Sequence, residues 1–145
     1  MRIRNAAVAA LALAAAACND NTCPTESPQV SALADCTAGA GQLVSYEVRL
    51  CPTCNQTVSS CDVDMSDIGA GNIFLDPKVE TCTSSNSCPP ACQANASTCN
   101  FTAPATPGTY VVSAYDPATN TTQTGTLTVV PPGGSASCDF SVASR

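Results

Sequence analysis

From Leu43 onward, apolar and polar residues alternate. Val44, Tyr46, Val48 and Leu50 fall on one face and Ser45, Glu47 and Arg49 on the other, which is the period of a half-buried strand. Cys51-Pro52-Thr53-Cys54-Asn55 then turns the chain. Val58 to Met65 predicts a second strand, with Cys61, Val63 and Met65 inward and Ser60, Asp62 and Asp64 outward. Asp67 to Gly71 is a turn, and Asn72 to Leu75 is a short strand interrupted by Asp76-Pro77 and resumed from Val79 to Cys82. Thr83 to Ala96 shows no period and predicts a loop ordered by Cys82, Cys88, Cys92 and Cys99. Alternation returns over Thr98 to Ala103, Thr109 to Asp116 and Thr122 to Val130, with a corner at Pro104 to Gly108 and a hairpin turn at Asp116 to Asn120. No amphipathic helix of useful length and no repeat interrupts the series. Six or seven short strands separated by turns predict an all-β fold, a disulfide-rich antiparallel β-sandwich spanning 43–130.

The two ends read differently. Arg2 and Arg4 precede a twelve-residue apolar run, Ala6 to Ala17, that stops at Cys18. This is the layout of an export signal, too short to cross a bilayer as a permanent span. Residues 1–17 are expected to be removed and 18–42, rich in Thr, Ser, Pro, Ala and Gly, to form a flexible tether whose distal part Cys23 and Cys36 pin to the domain. Pro131-Pro132-Gly133-Gly134 ends the domain, leaving 131–145 as a tail in which Cys138 seeks a partner.

Ala15-Ala16-Ala17-Cys18 resembles the lipobox of bacterial lipoproteins, with Ala15 in the position more often held by Leu. The resemblance implies cleavage before Cys18, lipid on that cysteine, and a place in the cell envelope on the periplasmic or outer-surface side of a bacterial membrane. An ordinary signal peptidase would instead cut after Ala16 or Ala17. Parity favours the lipid: eleven cysteines leave one unpaired in an oxidising compartment, whereas ten pair completely once Cys18 is acylated. A second resemblance is carried by Phe101 to Ala114 followed by Thr124 to Val129, which are similar to the last three strands of bacterial immunoglobulin-like domains. It places Tyr110 where such domains set a corner tyrosine, two residues ahead of the inward Val112. A fibronectin-like or prealbumin-like sandwich fits nearly as well.

Composition explains why the cysteines matter. Beyond residue 17, Leu, Ile, Val and Phe number 21 among 128 residues, a thin supply for a core. Cys23, Cys36, Cys51, Cys54, Cys61, Cys82, Cys88, Cys92, Cys99 and Cys138 are therefore read as five structural bridges, their connectivity open. Were Cys82, Cys88, Cys92 and Cys99 to close among themselves, at least one bond would join Cys51, Cys54 and Cys61 to the group Cys23, Cys36 and Cys138. Arg49, Lys78 and Arg145 face eleven carboxylates once residues 1–17 are gone, a net charge of −8. Such a chain repels phosphate backbones, so nucleic acid is excluded as a partner.

Candidate chemistry is sparse. Cys51-x-x-Cys54 is the spacing of a dithiol redox motif, but it lies between strands with no βαβ unit around it. Together with Cys88 and Cys92 it is also a candidate four-thiolate zinc set. Asp62, Asp64 and Asp67 are candidate oxygen ligands for calcium, although an EF-hand is ruled out by Asp67 and Ile73 at the glycine and glutamate positions. With no histidine, neither a Ser-His-Asp nor a Cys-His arrangement is available. The expectation is a non-catalytic envelope lipoprotein without cofactor, with a structural or ligand-binding role toward a protein or glycan partner. Its binding surface is sought first on the Thr83–Ala96 loop. A thiol-disulfide oxidoreductase and a calcium-dependent adhesion module are the alternatives.

Overall fold

A computed structural model describes residues 23–82, 92, 94–133 and 138. Nine strands follow in order: β1 (Thr25–Glu26), β2 (Val30–Leu33), β3 (Cys36–Gly39), β4 (Leu43–Leu50), β5 (Gln56–Asp64), β6 (Asn72–Thr81), β7 (Asn95–Thr102), β8 (Gly108–Asp116) and β9 (Thr121–Val130). They form two sheets. In the larger, the order β1-β6-β8-β9-β3 is joined by β5 on the other side of β6; in the smaller, β4 lies between β2 and β7.

The two sheets press their apolar faces together. Ile73 and Leu75 of β6, Val112 of β8 and Leu127 and Val129 of β9 meet Val44, Tyr46, Val48 and Leu50 of β4 and Phe101 of β7, all buried. These are the inward positions that the period of two selects, so the disulfide-rich β-sandwich expected from the alternation is the fold. The ladders are not uniformly antiparallel: β3 runs parallel to β9 and β6 parallel to β8. The Tyr110 hydroxyl donates to the Thr106 carbonyl at 2.8 Å, four residues upstream, and so ties the corner before β8 to the strand itself.

The amino-terminal part departs most from expectation. The segment expected to be a tether carries three strands from Thr25 to Gly39, and it buries Val30, Leu33, Ala34, Cys36 and Ala38 in the core. It changes sheets twice. β1 pairs with β6 in the large sheet, β2 with β4 in the small one, and β3 with β9 back in the large one. Each piece is only two to four residues long. Its inward positions are mostly small, so no run of alternation grows long enough to be seen.

β6 also runs unbroken through Pro77, where the sequence suggested an interruption. β8 accompanies it over Asn72–Leu75 and β1 over Val79–Glu80. Between them, on that side, no strand is alongside. A proline, which has no N–H for a ladder, is tolerated at such a place. β7 begins at Asn95, three residues earlier than expected, so the last two residues of the Thr83–Ala96 loop are strand. Residues 83–91 lie outside the described residues.

Four bridges tie these parts together: Cys23–Cys82, Cys36–Cys138, Cys51–Cys92 and Cys61–Cys99. Local closure among Cys82, Cys88, Cys92 and Cys99 does not occur, since three of those four bond to distant partners. The reason is strand direction. Cys99 points into the core from β7, in the small sheet, and meets Cys61 of β5, in the large one, whereas its sequence neighbours leave in other directions. The tail is anchored as well: Cys138 is buried, and its carbonyl accepts the Glu47 N–H on the stretch of β4 that β2 does not reach.

Candidate functional site

A short stretch of open sheet follows from the first change of sheets. After Glu26 the chain turns inward at Ser27-Pro28, buries Pro28, and reaches β2, where the Val30 N–H donates to Asp116 Oδ1 at 3.4 Å. β1 thus leaves β6 before it meets the end of β8. The notch left beside Asp76-Pro77 is a cleft of about 340 Å³ lined by Ser27, Phe74, Asp76, Pro77, Ser113 and Tyr115 among others. That volume is at the small end of the range typical of ligand clefts, about 300–1,000 Å³.

The pleat decides what the cleft presents. Ile73, Leu75 and Val79 of β6 and Val112 and Ala114 of β8 point to the core, which turns Phe74, Asp76 and Lys78 of β6 and Val111 and Tyr115 of β8 outward. Phe74 is 44% exposed and Tyr115 53%, unusual values for aromatic side chains on a sheet. Phe74 is registered with Ser113, so Tyr115 is its diagonal neighbour, about 7–8 Å away by strand geometry. Ser113 forms the floor; it is buried, and its hydroxyl donates to the Ile73 carbonyl at 3.5 Å. Lys78 Nζ lies 2.5 Å from Asp76 Oδ2 at one rim.

Tyr115 is held from behind. Its hydroxyl donates to Asn120 Oδ1 at 2.7 Å, and Asn120 takes a left-handed conformation, φ 54°, in the β8–β9 turn. The same turn is organised by Asp116, almost wholly buried, which accepts the Ala118 N–H at 3.1 Å and the Thr119 hydroxyl at 2.6 Å besides the Val30 N–H. Burial opposes the charge on Asp116, but the hydrogen bonds from Thr119, Ala118 and Val30 outweigh it and hold the carboxyl below the usual carboxylate range. One carboxylate therefore joins the sheet-changing segment to the turn that fixes Tyr115.

A folded-state pKa below the unfolded one gives stability that is fully present above the ordinary carboxylate pKa of about 3.9 and is lost as pH falls through the depressed value. The wild-type melting temperature should therefore be flat near neutrality and fall in acid, and Asp116→Asn should flatten that acid limb. Asp116→Ala, which strands buried donors, should cost roughly 1–3 kcal/mol in urea denaturation. An unchanged acid limb in Asp116→Asn would remove this role.

The residues singled out from sequence fare differently. Cys51 is bonded to Cys92, not to Cys54, and Cys54 is in a separate disulfide with a partner outside the described residues. A redox dithiol bonds within its own motif, so Cys51-x-x-Cys54 lacks the premise of that reading. The zinc set fails for the same reason, since two of its four sulfurs are bonded to each other. Asp62 and Asp64 stand on the outer face of β5, and Asp67 sits in the turn that follows. Asp64 accepts the Ser66 N–H at 2.8 Å, and the Ser66 backbone and hydroxyl keep its carboxyl low; Asp67 accepts from Asn72 Nδ2 at 2.7 Å. Asp64 and Asp67 thus organise the connection between β5 and β6, and among the described residues no group of three or more His, Cys, Asp or Glu is placed to hold a metal. Cys18 and Cys88 lie outside the described residues.

Of the Thr83–Ala96 loop, Ala94, Asn95 and Ala96 line a second cleft with Glu47 and Arg49 on the outer face of the small sheet. Among the described residues that line it none is aromatic. Phe74 and Tyr115 were not singled out from sequence, although the signal was there: the inward set Tyr110, Val112 and Ala114 leaves Tyr115 on the wet face, where an aromatic ring is out of place unless something covers it. Comparison with protein-family models, curated proteins and solved structures finds no match to this chain.

Proposed function

We propose that this chain is an exported, non-catalytic binding module of the bacterial cell envelope. Lipid on Cys18 holds it to the membrane, and the disulfide-locked sandwich presents the cleft beside Phe74 and Tyr115 to a ligand. The observation that carries the reading is a fixed, half-exposed tyrosine diagonal to a half-exposed phenylalanine at the mouth of a cleft, on a scaffold whose strands are bridged across both sheets. Rigid support behind an exposed aromatic reduces the ordering cost of binding. Anchoring is supported by the signal-like start and by parity: the total of eleven cysteines is odd, and all nine described ones are bonded, eight among themselves and Cys54 to a partner outside the described residues.

Two measurements test it. In detergent phase partition the native protein should enter the detergent phase and Cys18→Ser the aqueous one; a wild type found in the aqueous phase overturns the anchor. Amide shifts of the chain lacking only its export signal, titrated with protein, vesicle and polysaccharide fractions of a bacterial envelope, should move together at Ser27, Phe74 to Asp76, Ser113 and Tyr115. No movement at the cleft with any fraction overturns the binding face.

A further inference from the structure

Resting on that binding face, the geometry points to a neutral polysaccharide as its ligand, stacked on Phe74 and Tyr115 and hydrogen-bonded at the rim of the cleft. A sugar ring offers an apolar face of C–H bonds and a polar edge of hydroxyls. It is recognised by an aromatic plane beside groups that both donate and accept. The cleft has that combination: Phe74 and Tyr115 as planes, the Ser27 hydroxyl as donor and acceptor, and Asp76 as acceptor with Lys78 as donor at 2.5 Å from it. The Asn120 bond to the Tyr115 hydroxyl fixes the ring before a ligand arrives.

Charge narrows the class. Asp62 and Asp64 stand on the same outer face, registered with Asp76 and Phe74, while the chain beyond residue 17 carries −8 overall. An anionic glycan, an anionic lipid surface or a nucleic acid meets like charge there. A second copy is disfavoured for two reasons. A two-fold contact would set this acidic row against itself. The exposed large apolar side chains on the face, Phe74, Val111 and Tyr115, are also few for an interface of about 1,200–2,000 Å². Aromatic planes and a rim that both donates and accepts hydrogen bonds suit a chain of hydroxyl-bearing rings, and surroundings that repel anions leave the uncharged ones among these.

The chain itself supplies the probe. It has no tryptophan and three tyrosines, of which Tyr46 and Tyr110 are buried, so acrylamide quenching of tyrosine emission reports on Tyr115. Cellohexaose and chitohexaose serve as neutral ligands, with dextran sulfate as the anionic control, on the chain lacking only its export signal. The expected result is saturable protection from quenching by a neutral oligosaccharide, confirmed by calorimetry. Affinity should be about tenfold weaker in Phe74→Ala or Tyr115→Ala and should fall less in Tyr115→Phe, which keeps the aromatic plane but loses the bond to Asn120. Both rings are half exposed, so the variants should melt as the wild type does.

Failure of both oligosaccharides to bind the folded protein overturns the inference. So does binding that ignores both alanine variants, a preference for dextran sulfate, or sedimentation showing a dimer that Tyr115→Ala dissociates. If the protein fraction of the envelope moves the cleft amides while neutral sugars do not, the glycan assignment falls and the binding face stands. If nothing moves them, both fall.

Discussion

Reduced and alkylated at every cysteine, the domain unfolds at neutral pH: the far-ultraviolet β-sheet signal is lost and no cooperative urea transition remains. The four described bridges close separations of 38, 41, 59 and 102 residues. Loop-closure entropy makes each worth about 4 kcal/mol when taken alone, less when nested. A domain of this size is stable by about 5–15 kcal/mol in total, so their combined loss exceeds what an interior with so few large aliphatic side chains retains.

Among single bridges, Cys61–Cys99 should matter most relative to its loop length. It spans the two sheets, and Cys99 is wholly buried beside Tyr46 and Phe101, so a Cys61→Ala/Cys99→Ala double variant loses both the crosslink and core volume. The urea midpoint should fall further than for Cys23→Ala/Cys82→Ala, whose sulfurs lie nearer the surface. A reduced, capped chain that still unfolds cooperatively in urea would show that the apolar interior suffices and that the staples are secondary.

How much of this was legible in the sequence depended on side-chain size. β4 shows itself because Val44, Tyr46, Val48 and Leu50 hold every second position, and β8 and β9 because Tyr110 and Val112, and Leu127 and Val129, repeat the period over shorter stretches. β2 and β3 do not: Ala32, Ala34 and Ala38 add little contrast to their neighbours, and the face that counts as inward flips each time the chain changes sheet. Pro77 signals a break by its own chemistry, and only the tertiary arrangement reveals a position where its missing N–H does no harm. The disulfide pattern was closed to sequence for a related reason. Cys36 and Cys138 lie 102 residues apart and are brought together by the parallel pairing of β3 with β9, the last described strand before Cys138, which no local pattern announces. The cleft itself exists because β1 parts from β6, an event no periodicity records. Tyr115, in contrast, was visible all along as an aromatic out of phase with its strand.

Gly125→Ala should destabilise the domain by roughly 2–5 kcal/mol, although glycine here serves neither a turn nor a left-handed backbone. Gly125 lies in the middle of β9, opposite Val112, facing the point where the chain crosses from β2 to β3. A Cβ placed on it would sit 2.5 Å from the Ala34 carbonyl oxygen, 2.5 Å from the Tyr46 hydroxyl and 3.0 Å from the Leu33 Cβ. The first two of those atoms are already a pair, since the Tyr46 hydroxyl donates to the Ala34 carbonyl inside the core. Burial, and then the negative charge of Asp35, raise the Tyr46 pKa well above its usual value, so the hydroxyl remains a proton donor over the whole ordinary pH range. Next to it, Asp35 accepts the Thr126 N–H at 2.8 Å and holds the crossing down on β9. An added methyl must therefore push away a backbone segment fixed from both sides, or break a buried hydrogen bond. The double variant Gly125→Ala/Tyr46→Phe separates the two. Removing the hydroxyl relieves one of the close contacts but leaves the carbonyl, so the pair should cost less than the sum of the singles by about 1 kcal/mol in urea denaturation. Strict additivity would mean that Tyr46 and Gly125 do not share this contact. A single variant within about 0.5 kcal/mol of wild type would mean that the crossing does not rest on the glycine at all.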